Sequence, residues 1–389
     1  MRRLALVAGA ALVLGACAAD LASPFAAVAV TYDPARHQYK LAQVTVTTLT
    51  SLRQLSGGAG QVRAGGSVKV LSAGVVAKGA TVAALRTQFI QTGPQDVNLA
   101  WSVLNDIVYP EDFDSLELLS AYYNLERARK KFADRGLPNL PVQPIVAHAQ
   151  LVDERGLSPL RAGELYYEPL ATFYFPVTAT RDGQLPLVFN LGAVGHALGH
   201  EAVSQLVWGG TPLPAPELGP QHDPAWNSAR HVARSLAEGI ADYLGVDVSQ
   251  DPRWFDHSDQ QRAAASALDA IRCGTPDMLQ ALAADDVQAP YDPHPLGTVL
   301  AGALWEATQG EDPSVPKGVF AALPEIGAKA QANQGQLSLA AVLDLLVAKA
   351  APERKPALCG LFVNRFAQLS ITSLPSCSGV TPVPHAECQ

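Results

Sequence analysis

Charge is scarce in this chain. Asp, Glu, Lys and Arg make up 16% of 389 residues against 48% hydrophobic residues, which excludes a disordered chain and predicts a globular protein with a sizeable core in two or three folded units. Positive charge is scarcer still: 28 Lys and Arg face 36 Asp and Glu, a formal net charge of −8. Nucleic acid and anionic lipid are therefore disfavoured as partners. There is no internal repeat. Cysteine is rare as well, and none of the five is spaced as a zinc site. The apolar run in "MRRLALVAGAALVLGAC" is about a dozen residues long, too short for a spanning helix.

That run does read as a secretory signal, because two arginines precede it and Leu14, Gly15 and Ala16 lead into Cys17. The small residues before Cys17 resemble a bacterial lipobox, which implies cleavage at 1–16 and a lipid on the Cys17 thiol. Such an anchor holds a protein on a membrane without crossing it. By the same resemblance to Gram-negative lipoproteins, Ala18 in place of aspartate implies the outer membrane. Loss of Arg2 and Arg3 with the signal makes the remainder more acidic. Export also suits the other cysteines, Cys273, Cys359, Cys377 and Cys388, an even number for disulfides in an oxidising compartment. Of the three possible pairings, 273 with 359 and 377 with 388 is the expected one.

Residues 17–112 mix β-branched runs, "VTVTTLT" (44–50) and "SVKV" (67–70), with glycine-rich "SGGAGQVRAGGS", a pattern of strands and turns without a chemical motif. A helix is expected from Asp114, capped by Asp114 or Ser115. Leu118, Tyr122, Leu125, Ala128 and Phe132 fall on one face, and Gly136 and Pro138 stop it. Strand-like stretches follow at 172–180 and 185–190. Helices are then expected at about 227–245, 258–272, 294–308 and 337–350, with a proline-rich loop at 209–226. The order implies an α+β protein with a β-containing N-terminal part and a mostly helical C-terminal lobe.

Chemistry concentrates in three helical segments. In "GHALGHEAVSQLVWGG" (195–210), His196 and His200 stand four apart, one turn along a helix and about 40° around it, so both imidazoles can address one cation. In "SLAEGIADYLG" (235–245), Glu238 can supply a third, anionic ligand. Asp242, one turn on, can accept a hydrogen bond from a ligand histidine. Two imidazoles and a carboxylate form a known catalytic zinc shell, which makes Zn2+ the expected cofactor. His231, on the face of Glu238, is a weaker candidate ligand. In "YDPHPLGTVLAGALWE" (291–306), His294 near a helix start can donate to charge developing on a tetrahedral intermediate.

"HALGH", "EGIAD" and "HPLGTVLAGALWE" resemble, in order, the zinc helix, glutamate helix and later histidine helix of gluzincin metallopeptidases, the group that includes thermolysin and fungalysin. "AYYNLERARKKFADRGL" (121–137) resembles the tyrosine-rich helix upstream of the zinc helix in related bacterial members, with Asn124 where a histidine is expected. The resemblance spans roughly residues 115–310. It implies a zincin-like metallopeptidase fold over 113–389 with a disulfide-bearing tail, His196, His200 and Glu238 as ligands, Asp242 behind them, and His294 as transition-state donor.

One position departs from the pattern. Ala197 stands where these enzymes carry the glutamate that takes the water proton and passes it to the leaving amine, a loss of about 10²–10⁴-fold from that contribution alone. Glu201 is the candidate replacement, although a helix places it one turn, roughly 6 Å, further along. The sequence therefore implies an exported lipoprotein with a zinc site and weak or absent peptidase activity, binding a peptide or protein in its cleft. The alternatives are an active zinc endopeptidase using Glu201 or another acid, and a structural envelope protein without metal.

Overall fold

A computed structural model describes residues 21–69, 89–137, 140–152, 165–167, 172–176, 184–210, 224–284, 291–308, 310–333, 335–381 and 388. Cys17 and residues 211–223 of the proline-rich loop lie outside them. In chain order the strands are β1 (Phe25–Asp33), β2 (Gln38–Val46), β3 (Leu49–Ser51), β4 (Ser56–Gly57), β5 (Gly60–Ala64), β6 (Ser67–Lys69), β7 (Ile90–Thr92), β8 (Gln95–Asp96), β9 (Trp101–Leu104), β10 (Ile107–Pro110), β11 (Pro144–Val152), β12 (Leu165–Tyr167) and β13 (Thr172–Pro176). The helices are α1 (Phe113–Asp134), α2 (Leu191–Trp208), α3 (Pro224–Ser249), α4 (Gln260–Ser266), α5 (Pro276–Ala283), α6 (His294–Thr308), α7 (Ser314–Ala332), α8 (Leu339–Lys349) and α9 (Lys355–Arg365). The protein is α+β, with mixed sheets in its N-terminal part and helices through most of its C-terminal part.

One sheet has the order β2-β1-β10-β9, with β1 antiparallel to β2 and parallel to β10. The larger sheet runs β12-β13-β11-β5-β4-β3, with β6 and β8 joining at β11 and β5. Strand β11 pairs in parallel with β5 up to Ala147 and with β6 from Gln150. The change of partner is possible because Gly65 and Gly66, both at positive φ, step the chain from β5 to β6. On the other side of β11, a bulge at His148 absorbs the same step, Ala147 facing Phe175 and Ala149 facing Pro176.

Helix α1 buries Leu118, Tyr122, Leu125, Ala128 and Phe132 as their spacing requires. Its cap is Asp112, two residues before Asp114 and three before Ser115, the caps that the sequence suggested. The Asp112 carboxylate accepts from Ser115 N at 2.6 Å, which leaves Ser115 Oγ to accept from Ala100 N. Glu126 fastens the helix to the β2–β3 turn by accepting from the backbone and hydroxyl groups of Thr47 and Thr48.

Residues 185–190 are not a strand. Pro186 starts a 3-10 turn at Leu187–Phe189 whose hydrogen bonds close locally, from Phe189 N to Pro186 O and from Asn190 N to Leu187 O. Asn190 then caps α2 through Gly192 N and Ala193 N, while its amide donates to Trp254 O and Ser258 Oγ. The helix expected over 258–272 is only the short α4, because Leu268 N is taken by Pro252 O. Helices α5, α7 and α9 were not anticipated. A single apolar core runs from Ala27 in β1 to Leu374 beyond α9.

The disulfides join Cys273 to Cys388 and Cys359 to Cys377, which corrects the expected pairing. The turn at 375–377 docks on α8 through Ser376 N and the Asp344 carboxylate at 2.7 Å, and this brings Cys377 to Cys359 in α9. Two disulfides suit an oxidising, extracytoplasmic location. Among the described residues no helix is long and apolar enough to cross a membrane.

Candidate metal centre

Three helices meet at the imidazoles because their contact faces carry almost no side chain. A Cβ added to Gly199 of α2 would lie 2.6 Å from Ala241 Cα of α3, and one on Gly195 would lie 3.1 Å from Gly245 Cα. Between α3 and α6, a Cβ on Gly239 would lie 2.7 Å from Gly297 O. Real Cβ atoms do not approach backbone as closely as 2.6 or 2.7 Å, and 3.1 Å is already tight, so glycine at 199 and 239 lets these axes come together. Gly195, Gly199 and Gly239 sit directly beside His196, His200 and Glu238, and Gly297 follows His294 by three residues. The seam therefore fixes the positions of His196, His200, Glu238 and His294.

His196 Nε2 and His200 Nε2 are 3.0 Å apart. Glu238 Oε2 lies 3.4 Å from His200 Nε2 and 3.8 Å from His196 Nε2. For a triangle with these edges a point about 2.0 Å from all three atoms exists, which is the bond length zinc requires of nitrogen and carboxylate ligands. The three residues form a group that could hold a metal ion. Behind them, Asp242 Oδ1 is 2.9 Å from His196 Nδ1, with the carboxylate 2% exposed. At that distance a carboxylate favours the imidazole proton on Nδ1, which leaves the Nε2 lone pair for an ion. The Trp254 and Phe255 rings flank His196 at 5.7 and 6.4 Å.

His294 opens α6 with Nε2 3.5 Å from Glu238 Oε2. Asp292 holds it, accepting from its Nδ1 at 2.7 Å and from its backbone N at 3.1 Å. This partner was missed in the sequence, although an aspartate two residues before a helical histidine in "YDPH" is a recognisable Asx signal. Burial works against the Glu238 charge, but His200, His294 and His196 outweigh it and hold the carboxyl far below the usual range. Burial likewise opposes protonation of His294, yet the hydrogen bond to Asp292 and the Glu238 charge raise it above the ordinary imidazole value.

Two other candidates lie apart from this group. Glu201 is fully buried, and its Oε2 faces Arg129 of α1 at 3.4 Å. Burial pushes its carboxyl up to about 7 against the pull of that guanidinium. His231 donates from Nδ1 to Leu282 O at 3.0 Å, its ring stacked on Tyr291 at 4.1 Å between centroids. Ala197 is 1% exposed and belongs to the core. Asn124, in place of the expected histidine, is a buried strut that donates to Phe189 O at 2.9 Å just before the α2 cap.

No protein-family model matches the chain, and comparison with curated proteins gives no match either. Fold and geometry define the class alone: an α+β protein with a His-His-Glu group suited to a metal ion.

Proposed function

We propose that this is an exported, lipid-anchored relative of the gluzincin metallopeptidases that keeps a zinc site and has lost most or all peptidase activity. In this reading it binds peptide or protein beside that site without efficient cleavage. The observation that carries it is the convergence of His196 Nε2, His200 Nε2 and Glu238 Oε2, with distances of 3.0, 3.4 and 3.8 Å, on a helix that has Ala197 directly after its first histidine.

His196, His200 and Glu238 would hold the ion, and Asp242 would orient His196. When bound, zinc supplies Lewis-acid polarisation of a carbonyl. His294, steadied by Asp292, stands ready to donate a hydrogen bond from Nε2 on the side of Glu238. What the chain lacks is a proton acceptor at position 197. Glu201 does not replace it, because its carboxylate is enclosed against Arg129.

The test is metal analysis and hydrolysis assays on purified wild-type protein and Ala197→Glu. Wild type should retain zinc and cleave unfolded protein slowly or not at all. The variant, checked for native circular dichroism, should gain chelator-sensitive hydrolysis by about 10²–10⁴-fold. A zinc-loaded, folded variant without any gain would remove the peptidase ancestry from the account. Wild type without zinc, and unmoved in thermal stability by added zinc, would leave a structural envelope protein instead.

A further inference from the structure

A second set of ligand-type side chains gathers away from the α2–α3–α6 seam, where the first turns of α1 meet β11. Asp114 and Glu117 are three apart on α1, so they share a face. His148 projects from the bulge of β11 with Nε2 3.0 Å from Glu117 Oε2. One potential ligand atom from each of Asp114, Glu117 and His148 lies within 4.8 Å of the other two. We infer that Asp114, Glu117 and His148 form a second divalent-metal site, built from two carboxylates and one imidazole.

A plain ion pair between His148 and Glu117 would account for two of these groups. It would not account for the third. With Asp114 beside them, the corner carries one negative charge in excess even when His148 is protonated, and Glu117 is 5% exposed. A divalent cation neutralises both carboxylates and leaves the imidazole in its neutral, ligating form. Asp114 is exposed, so its carboxylate is open to an ion arriving from solvent. The bulge contributes by taking His148 out of the ladder with β13, so the ring faces α1 while Ala147 and Ala149 stay in the core. One nitrogen and two carboxylates select a transition ion, zinc ahead of manganese by the general affinity order.

The experiment is zinc titration by calorimetry, with bound-metal analysis, on the full chain and on His148→Gly, Asp114→Asn and His200→Ala. Glycine suits the positive φ of residue 148 and Asp114 is exposed, so both variants keep the fold. Wild type is expected to take up two equivalents, His148→Gly to lose one, and Asp114→Asn to bind that one at least about tenfold more weakly. His200→Ala should lose the other equivalent. A single equivalent that survives His200→Ala and disappears in His148→Gly would support this site while removing the one in the seam. Uptake unchanged by both His148→Gly and Asp114→Asn would overturn the inference.

Discussion

The α2–α3–α6 seam and the α1–β11 corner hold the same kinds of side chain on opposite foundations. In the seam, glycines bring helix backbones into contact, and the ligand atoms already sit at the spacing a metal requires. In the corner, a strand bulge aims one histidine at a helix and leaves an exposed aspartate to complete the group. The lesson is that residues without chemistry set the geometry of residues with it. The seam should therefore bind more tightly and tolerate less change than the corner.

The largest expected difference is in metal-linked stability. At a thousandfold excess of zinc over its dissociation constant, a single site adds about 4 kcal/mol to unfolding free energy. His200→Ala should remove that increment for the seam, as read by urea unfolding with and without zinc, whereas His148→Gly should leave it in place. Equal losses in the two variants would erase the distinction.

Backbone proximity gives the next effect. Gly199→Val must force α2 away from Ala241 and should cost about 3 kcal/mol or more, with loss of zinc binding. Gly65→Ala beside the corner meets nothing within 4 Å and carries only the left-handed backbone penalty, about 1–2 kcal/mol. Similar costs for both substitutions would show that the helices do not need the glycines. A smaller change is expected from Asp242→Asn, which keeps the shape but weakens the hold on His196. Zinc affinity should fall about 10–100-fold by titration while the apo protein unfolds as wild type does.

The smallest effect concerns Asp251, just beyond the end of α3. Burial opposes its charge, but the hydrogen bonds from His257, Arg253 N and Tyr32 outweigh this and lower its carboxyl below the ordinary value. A carboxylate with a depressed folded-state pKa stabilises fully above its unfolded value, near pH 3.9, and loses that contribution as pH falls through the folded value. Asp251→Asn should therefore cost about 1 kcal/mol at pH 6 and progressively less below pH 4 by urea unfolding. A constant difference across that range would contradict it.

Local pattern made much of the seam legible. The four-residue interval of His196 and His200, the glutamate in "EGIAD" and the helix beginning at His294 all report short-range geometry, and α6 has the ends its sequence suggested. Contacts between distant segments were not legible. Glu201 meets Arg129 from 72 positions away, and the disulfide pairing depends on the docking of residues 375–377 against α8. Asn190 lies in a stretch that reads as a strand, yet it caps α2 and also receives the Tyr39 hydroxyl from β2, tying the smaller sheet to the start of that helix. His148 carried no signal, because its role follows from a change of strand partner that involves three separate segments.

The most direct test is an anomalous-scattering map at the zinc edge from crystals of the purified protein grown with zinc. The account predicts a peak about 2.0–2.2 Å from His196 Nε2, His200 Nε2 and a Glu238 carboxylate oxygen together. Zinc bound elsewhere, with those three side chains turned away from a common point, would contradict it.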